Sequence, residues 1–189
     1  MSSPRAAARL RQFLRASFDQ HERALVPLEG ELALVSAYLD IESLRFGSLL
    51  KVGRTLDPCL LKVLIPPFSL QLLVENAVQH GLHSSQRVGR VRRLVRPLGG
   101  WLELSVSDDG QGVSPTEVEK ILFFRNARVH ALVLLRRRLQ GLFGRSFQLE
   151  VQSEAGQGTT VTLRIPLRFE VGNARLDAAC AATGQLAAG

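Results

Sequence analysis

The sequence predicts an α+β fold, a two-layer sandwich with helices on one face of a mixed sheet. Three observations predict it. Segments of helical period alternate with segments of period two along 189 residues. Two strand pairs are joined by glycine turns, at Gly99-Gly100 and around Gly156-Gln157-Gly158, and are therefore antiparallel. The order is not βαβ throughout and no GxGxxG follows the first strand, which argues against a Rossmann fold. With 46% hydrophobic residues the chain can bury a real core, so disorder throughout is excluded.

Taken in order, Leu10, Leu14 and Phe18 lie four apart and give a helical stripe over Arg9–Phe18. A second helix runs from Pro27 to Phe46, with Leu28, Leu32, Val35, Leu39 and Phe46 on one face and Gly47 to end it. Leu49–Leu56 reads as a short strand. Pro66 and Pro67 precede a helix over Phe68–Gln79, with Gly81 beyond its end. Arg87–Leu98 and Trp101–Ser107 read as strands, the second with Leu102, Leu104 and Val106 on one face. Ser114-Pro115-Thr116-Glu117 is a capping-box start to a short helix. A stronger helix follows over Val129–Phe143, its apolar face Val129, Leu132, Leu135, Leu139 and Leu142, stopped by Gly144. The last hairpin, Phe147–Ser153 with Thr159–Ile165, alternates at 147, 149, 151 and at 161, 163, 165. This divides the chain into 1–26, an N-terminal helix ending an upstream region; 27–167, the main domain; and 168–189, a flexible tail rich in Ala and Gly.

Composition narrows the function. The net charge of +7 invites a nucleic-acid reading. The cations are nearly all arginines spread along the chain, and aromatics at 6% are too few for a stacking platform, so no nucleic acid is expected. Cys59 and Cys180 are far apart and match no disulfide framework or CxxC metal pair, which suits a reducing compartment. The most apolar stretch, Cys59–Val74, is broken by Lys62 and Pro66-Pro67, and no signal-peptide core follows the N-terminal arginines. The expectation is a soluble chain, or a soluble piece of something larger.

Three constellations carry candidate chemistry. In Leu73-Val74-Glu75-Asn76-Ala77, the Asn76 amide oxygen is a hard neutral ligand suited to Mg²⁺ beside substrate phosphates. His80 falls one turn later on the same helix face. Their alternative is helix-end hydrogen bonding without a ligand. In Asp108-Asp109-Gly110-Gln111-Gly112, a carboxylate at a strand end can accept a hydrogen bond from an exocyclic amine such as that of adenine. Gly110 and Gly112 allow a sharp turn beside a flat ligand. Its alternative is an ordinary Asp-Gly turn. In Gly156-Gln157-Gly158-Thr159-Thr160, a hairpin turn brings a Thr159 hydroxyl to the start of the final strand.

In order and spacing these three segments resemble the ATP-binding domain of histidine kinases, the Bergerat fold shared with gyrase B and MutL. More narrowly they resemble LytS-type sensor kinases. Leu73-Val74-Glu75-Asn76-Ala77-Val78-Gln79-His80-Gly81 is similar to that family's N-box, preceded by a pair like Pro66-Pro67. Val26-Pro27-Leu28-Glu29-Gly30-Glu31-Leu32 and Tyr38-Leu39-Asp40-Ile41-Glu42-Ser43-Leu44-Arg45-Phe46 are further matching stretches, and the resemblance covers about Arg9 to Pro166. It implies an ATP-binding catalytic domain that transfers the γ-phosphoryl to a histidine in a segment absent from this chain. ATP and Mg²⁺ would be the cofactors. Asn76 would hold Mg²⁺, Asp108 the adenine amine, Gly110 and Gly112 would shape the pocket, and Thr159 would support it; His80 completes the ATP-binding set. A response regulator, homodimerisation of the full-length kinase, a cytoplasmic place for this chain and an inner-membrane anchor for its parent are implied with it.

The chain also departs from that pattern. Gln79 stands where the family usually has Lys. Val129-His130-Ala131-Leu132-Val133-Leu134 replaces a Gly-x-Gly-Leu-x-Asn box whose backbone N–H groups would meet phosphates at a helix N-terminus. The phosphoacceptor stretch Asn-Pro-His-Phe-Leu-Phe-Asn is not in the sequence, where the histidines are His21, His80, His83 and His130. Leu72 occupies the place of a gyrase-type general base, which favours phosphoryl transfer to histidine over hydrolysis. The alternative is a degenerate, noncatalytic kinase-like module that binds a partner.

Overall fold

The computed structural model describes residues 23–82, 89–114, 116, 118 and 130–169. The expected helix at 9–18 lies outside them, as do residues 115, 117 and 119–129 that would follow Ser114. At that point the described backbone shows one helical turn, with Val118 N–H donating to Ser114 O at 3.0 Å.

The first described element is not one that periodicity announces. β1 (Val26–Pro27) pairs antiparallel with β3 (Leu64–Ile65), and Leu28 N–H donates to Val63 O at 2.8 Å. Two-residue strands are too short to show alternation, so only the fold reveals them. α1 (Leu28–Phe46) follows at once and ends as expected at Gly47, whose positive φ of 58° glycine adopts without strain. Its buried residues are Leu28, Glu31, Leu34, Val35 and Leu39, four apolar side chains and one carboxylate. β2 (Leu50–Leu56) matches its expected strand to within one residue.

α2 (Ser69–Leu82) differs from expectation at its end, for it runs through Gly81 instead of stopping before it. A glycine inside a helix costs only about 1 kcal/mol. Burial of Leu70, Leu73, Val74, Ala77 and Val78 against the sheet outweighs that penalty. β4 (Gly89–Leu98) and β5 (Trp101–Asp108) form the expected hairpin, both turn glycines having positive φ, 55° and 84°. α3 (His130–Phe143) buries Leu132, Leu135, Leu139 and Phe143 and stops at Gly144 with φ 61°. β6 (Gln148–Glu154) and β7 (Gly158–Pro166) close the chain's order.

Among the described residues the main sheet has the order β2-β4-β5-β7-β6, with β2–β4 parallel and the other pairs antiparallel. The mixed sheet of the sequence-based expectation is therefore present. α2 lies against β4, β5 and β7 and touches both α1 and α3. Val91, Val95, Leu104, Val106, Val161 and Leu163 meet these helices in one core. The opposite face is polar: Arg96, Glu103 and Arg164 form a ladder there, with Nε–carboxylate distances of 2.7 Å on each side of Glu103. One reading of the sequence is corrected. Cys59 is disulfide-bonded.

Candidate functional site

Strand register assembles one end of the sheet. Val91 lies beside Asp108, Asp108 beside Thr159, and Thr159 beside Ser153. Two residues further along the same strands lie Val106, Val161 and Val151, of which Val106 and Val161 are core. Side chains alternate between faces along a strand, so Asp108, Thr159 and Ser153 share the helix-facing side. The two residues expected from separate motifs, Asp108 and Thr159, are thus direct cross-strand neighbours.

The loop after β5 is tied to the hairpin turn between β6 and β7. Asp108 Oδ1 accepts from Gly110 N–H at 2.9 Å, and Gln111 O accepts from Gly156 N–H at 2.6 Å. Ser153 is the junction: its Oγ accepts from Val113 N–H at 2.8 Å, donates to Gly158 O at 3.0 Å and lies 2.9 Å from Thr159 Oγ1. Gly112 is needed for lack of space, since a Cβ there would stand 2.0 Å from Glu154 O, and its φ is 60°. Gly158 is equally crowded, 2.1 Å from Asp108 O with φ 92°. Three glycines near the site therefore do two jobs: Gly112 and Gly158 let two loops touch, and Gly110 gives its N–H to the Asp108 carboxylate.

Asn76 sits on α2, the helix across this face. Its Nδ2 is buried and has no hydrogen-bond partner. Buried polar atoms are nearly always paired, so an orphaned amide calls for an explanation, and a bound ligand is one. An unpaired amide N–H suits an acceptor such as a phosphate oxygen, whereas a cation would take the oxygen of the same amide. His80 is one turn further along the same helix, its side chain outside the described atoms. Glu75 is committed elsewhere: Gln71 Nε2 donates to it at 2.6 Å. Burial raises its pKa, and Glu42 on α1 adds to the rise. Tyr38 on α1 is pushed upward by burial and then by the same two carboxylates. Glu75 therefore faces α1, and among the described residues it is not placed as the missing general base.

Two residues of this neighbourhood escape sequence reasoning. Ser153 is legible only through register, as the partner of Thr159. Glu31 did leave a signal, a carboxylate at a position of helical spacing between Leu28 and Val35.

Comparison with known proteins agrees with this fold. The profile of the histidine kinase-, DNA gyrase B-, and HSP90-like ATPase family matches residues 67–169, and that of the histidine kinase family matches residues 2–50. The sensor protein LytS of Bacillus anthracis is 35% identical over 158 residues, covering 82% of this chain and 27% of the relative. The chain thus spans about a quarter of the curated relatives it matches. The histidine kinase domain of the Erythrobacter litoralis EL346 blue-light activated histidine kinase superposes with a TM-score of 0.56 at 23% identity, over 87% of this chain and 80% of that one. Full-length ShkA, solved in complex with AMPPNP, gives 0.59 at 22% identity over 87% and 35%. With its fold and more than half its length in agreement, the chain belongs to the histidine kinase-, DNA gyrase B-, and HSP90-like ATPase family and is similar within it to LytS-type sensor kinases.

Proposed function

We propose that this chain is the ATP-binding catalytic domain of a two-component sensor histidine kinase. The observation that carries the reading is the orphaned Nδ2 of Asn76 on the helix packed against β5 and β7, the strands that carry Asp108 and Thr159. Asp108 presents a carboxylate to the exocyclic amine of adenine, and Thr159 with Ser153 holds the adjoining wall. Gly110 and Gly112 shape the loop beside it. The Asn76 amide is a hard ligand of the kind Mg²⁺ accepts next to phosphates, and His80 follows on the same face. When bound, ATP with Mg²⁺ supplies the phosphoryl group and neutralises charge as it moves to a histidine of another segment or subunit. A response regulator as the next acceptor, a homodimeric full-length kinase and a membrane anchor in the parent protein belong to the same proposal. Among the described residues no helix is long and apolar enough to cross a membrane.

Titration of a fluorescent adenine nucleotide, with and without Mg²⁺, tests it. Saturable binding is expected. Asp108→Asn should weaken it by about tenfold or more, the loss that follows when a partly buried acceptor is replaced by a donor. Asn76→Ala should chiefly remove the Mg²⁺ dependence. No binding at millimolar nucleotide, or two variants indistinguishable from wild type, would overturn the reading.

A specific observation also supports a second reading, a partner-binding module without phosphoryl transfer. α3 starts at His130 where the family places its second glycine box, and the first glycine inside the helix is Gly141. Nucleotide binding without any transfer to a supplied acceptor domain would favour it.

A further inference from the structure

Glu31 is fully buried on α1, and its carboxylate is turned to the start of α2. Oε1 accepts from Phe68 N–H at 2.6 Å; Oε2 accepts from Leu70 N–H at 3.1 Å and Gln71 N–H at 3.3 Å. A helix N-terminus offers free amides and the positive end of its dipole, so a carboxylate brought from another helix serves as a cap. Arg138 of α3 reaches the same turn, where Nη1 donates to Pro67 O at 3.1 Å; Nη2 donates to Arg23 O at 3.4 Å, in the segment before α1. Phe68 itself has φ 63°, a left-handed conformation that a bulky residue keeps only when its surroundings fix it. Three helices and the lead-in to α1 therefore converge on one turn, at the foot of the helix that carries Asn76.

Resting on the nucleotide-binding reading, we infer that Glu31 and Arg138 form a strut that sets α2 relative to α1 and α3, so that a shift of α1 changes the affinity for Mg²⁺-nucleotide. Both are positioning residues, acting on Asn76 through α2. A carboxyl so deeply buried is pushed up to about 7, against the opposing pull of its three amide hydrogen bonds and of Arg138. Among the described residues, the groups acting on it are those amides of α2 and the Arg138 guanidinium of α3. Its ionised form accepts all three N–H bonds, whereas protonation converts part of one oxygen into a donor. The strut is therefore tighter above neutrality than below.

The test compares the wild-type chain with Glu31→Gln, which mimics the protonated form. Mg²⁺-nucleotide affinity is measured at pH 8 and pH 6. The nucleotide's own titration is common to both proteins and cancels. At pH 8 the variant should bind about tenfold more weakly, and at pH 6 the two should converge. Arg138→Met should show the same loss at pH 8 and serves as the reporter if Glu31→Gln fails to fold. A loss of equal size at both pH values, or none, overturns the strut. A wild-type chain that binds no nucleotide sinks the nucleotide reading, and hydrogen exchange at pH 8 then decides alone. Faster exchange in the variant from Leu70 through Val78 supports the strut; acceleration confined to Leu70 and Gln71, or absent, overturns it.

Discussion

A methyl group on Gly158 would stand 2.1 Å from the Asp108 carbonyl oxygen, at a φ of 92° that L residues rarely adopt. Gly99 also has positive φ, 55°, but open space around it. The pair separates two effects that a list of glycines confounds. Gly99→Ala should lose about 1 kcal/mol, the strain of a left-handed residue alone. Gly158→Ala should lose more, of the order of 3 kcal/mol, because the β5–β7 backbone must also move. Chemical denaturation of both variants checks the difference, and equal losses would show that the close approach is relieved without strain. The Asp108 motif was readable as a glycine-rich turn at a strand end. That Gly112 and Gly158 meet backbone across a gap was not, because the opposing carbonyls belong to segments far along the chain.

At the scale of elements, pairing of β4, β5 and β7 depends on more than the core face. Glu103 on β5 is nearly enclosed on the sheet's other side, and Arg96 of β4 and Arg164 of β7 each donate to it at 2.7 Å. Burial by itself would raise the Glu103 pKa. The hydrogen bonds from Arg164 and Arg96, together with their charge, outweigh it and leave the group below the ordinary carboxylate value. A lowered folded pKa gives stability that is present above the unfolded value near 4.5 and is lost as pH falls through the folded one. Glu103→Gln should therefore be less stable than wild type at pH 7, by about 1 kcal/mol since both arginines are partly exposed. The gap should shrink below pH 4.5 in thermal melts; a gap independent of pH would refute the charge ladder. The elements themselves were largely legible, because α3 and the two hairpins show clean periods; α1 is weaker, burying Glu31 and Leu34 while Leu32 and Phe46 stay half-buried. α2 was read too short because Gly81 is a stop signal locally and a tolerated interior residue once the helix is packed.

For the whole molecule, charge is distributed unevenly over the sheet. The parallel register of β2 and β4 puts Lys51 beside Arg90 and Arg54 beside Arg93. Arg93 is half-buried, its Nε lacks a partner, and its pKa is lowered by burial and then by Arg54. Like charges side by side in a sheet destabilise it. Arg54→Glu should accordingly raise stability by about 0.5 kcal/mol, and by less at high salt; a loss measured by denaturant melts at low salt would contradict that account. Periodicity and turn chemistry alone determined the existence of α1, α2 and α3, the two hairpins and the motif order, since those are local properties of neighbouring residues. Only the tertiary structure decided that Asp108 and Thr159 stand side by side, that Asn76 keeps a buried amide without a partner, and that Glu31 of one helix caps another. Those facts depend on register and on packing between segments tens of residues apart, and no local pattern encodes distance across a fold.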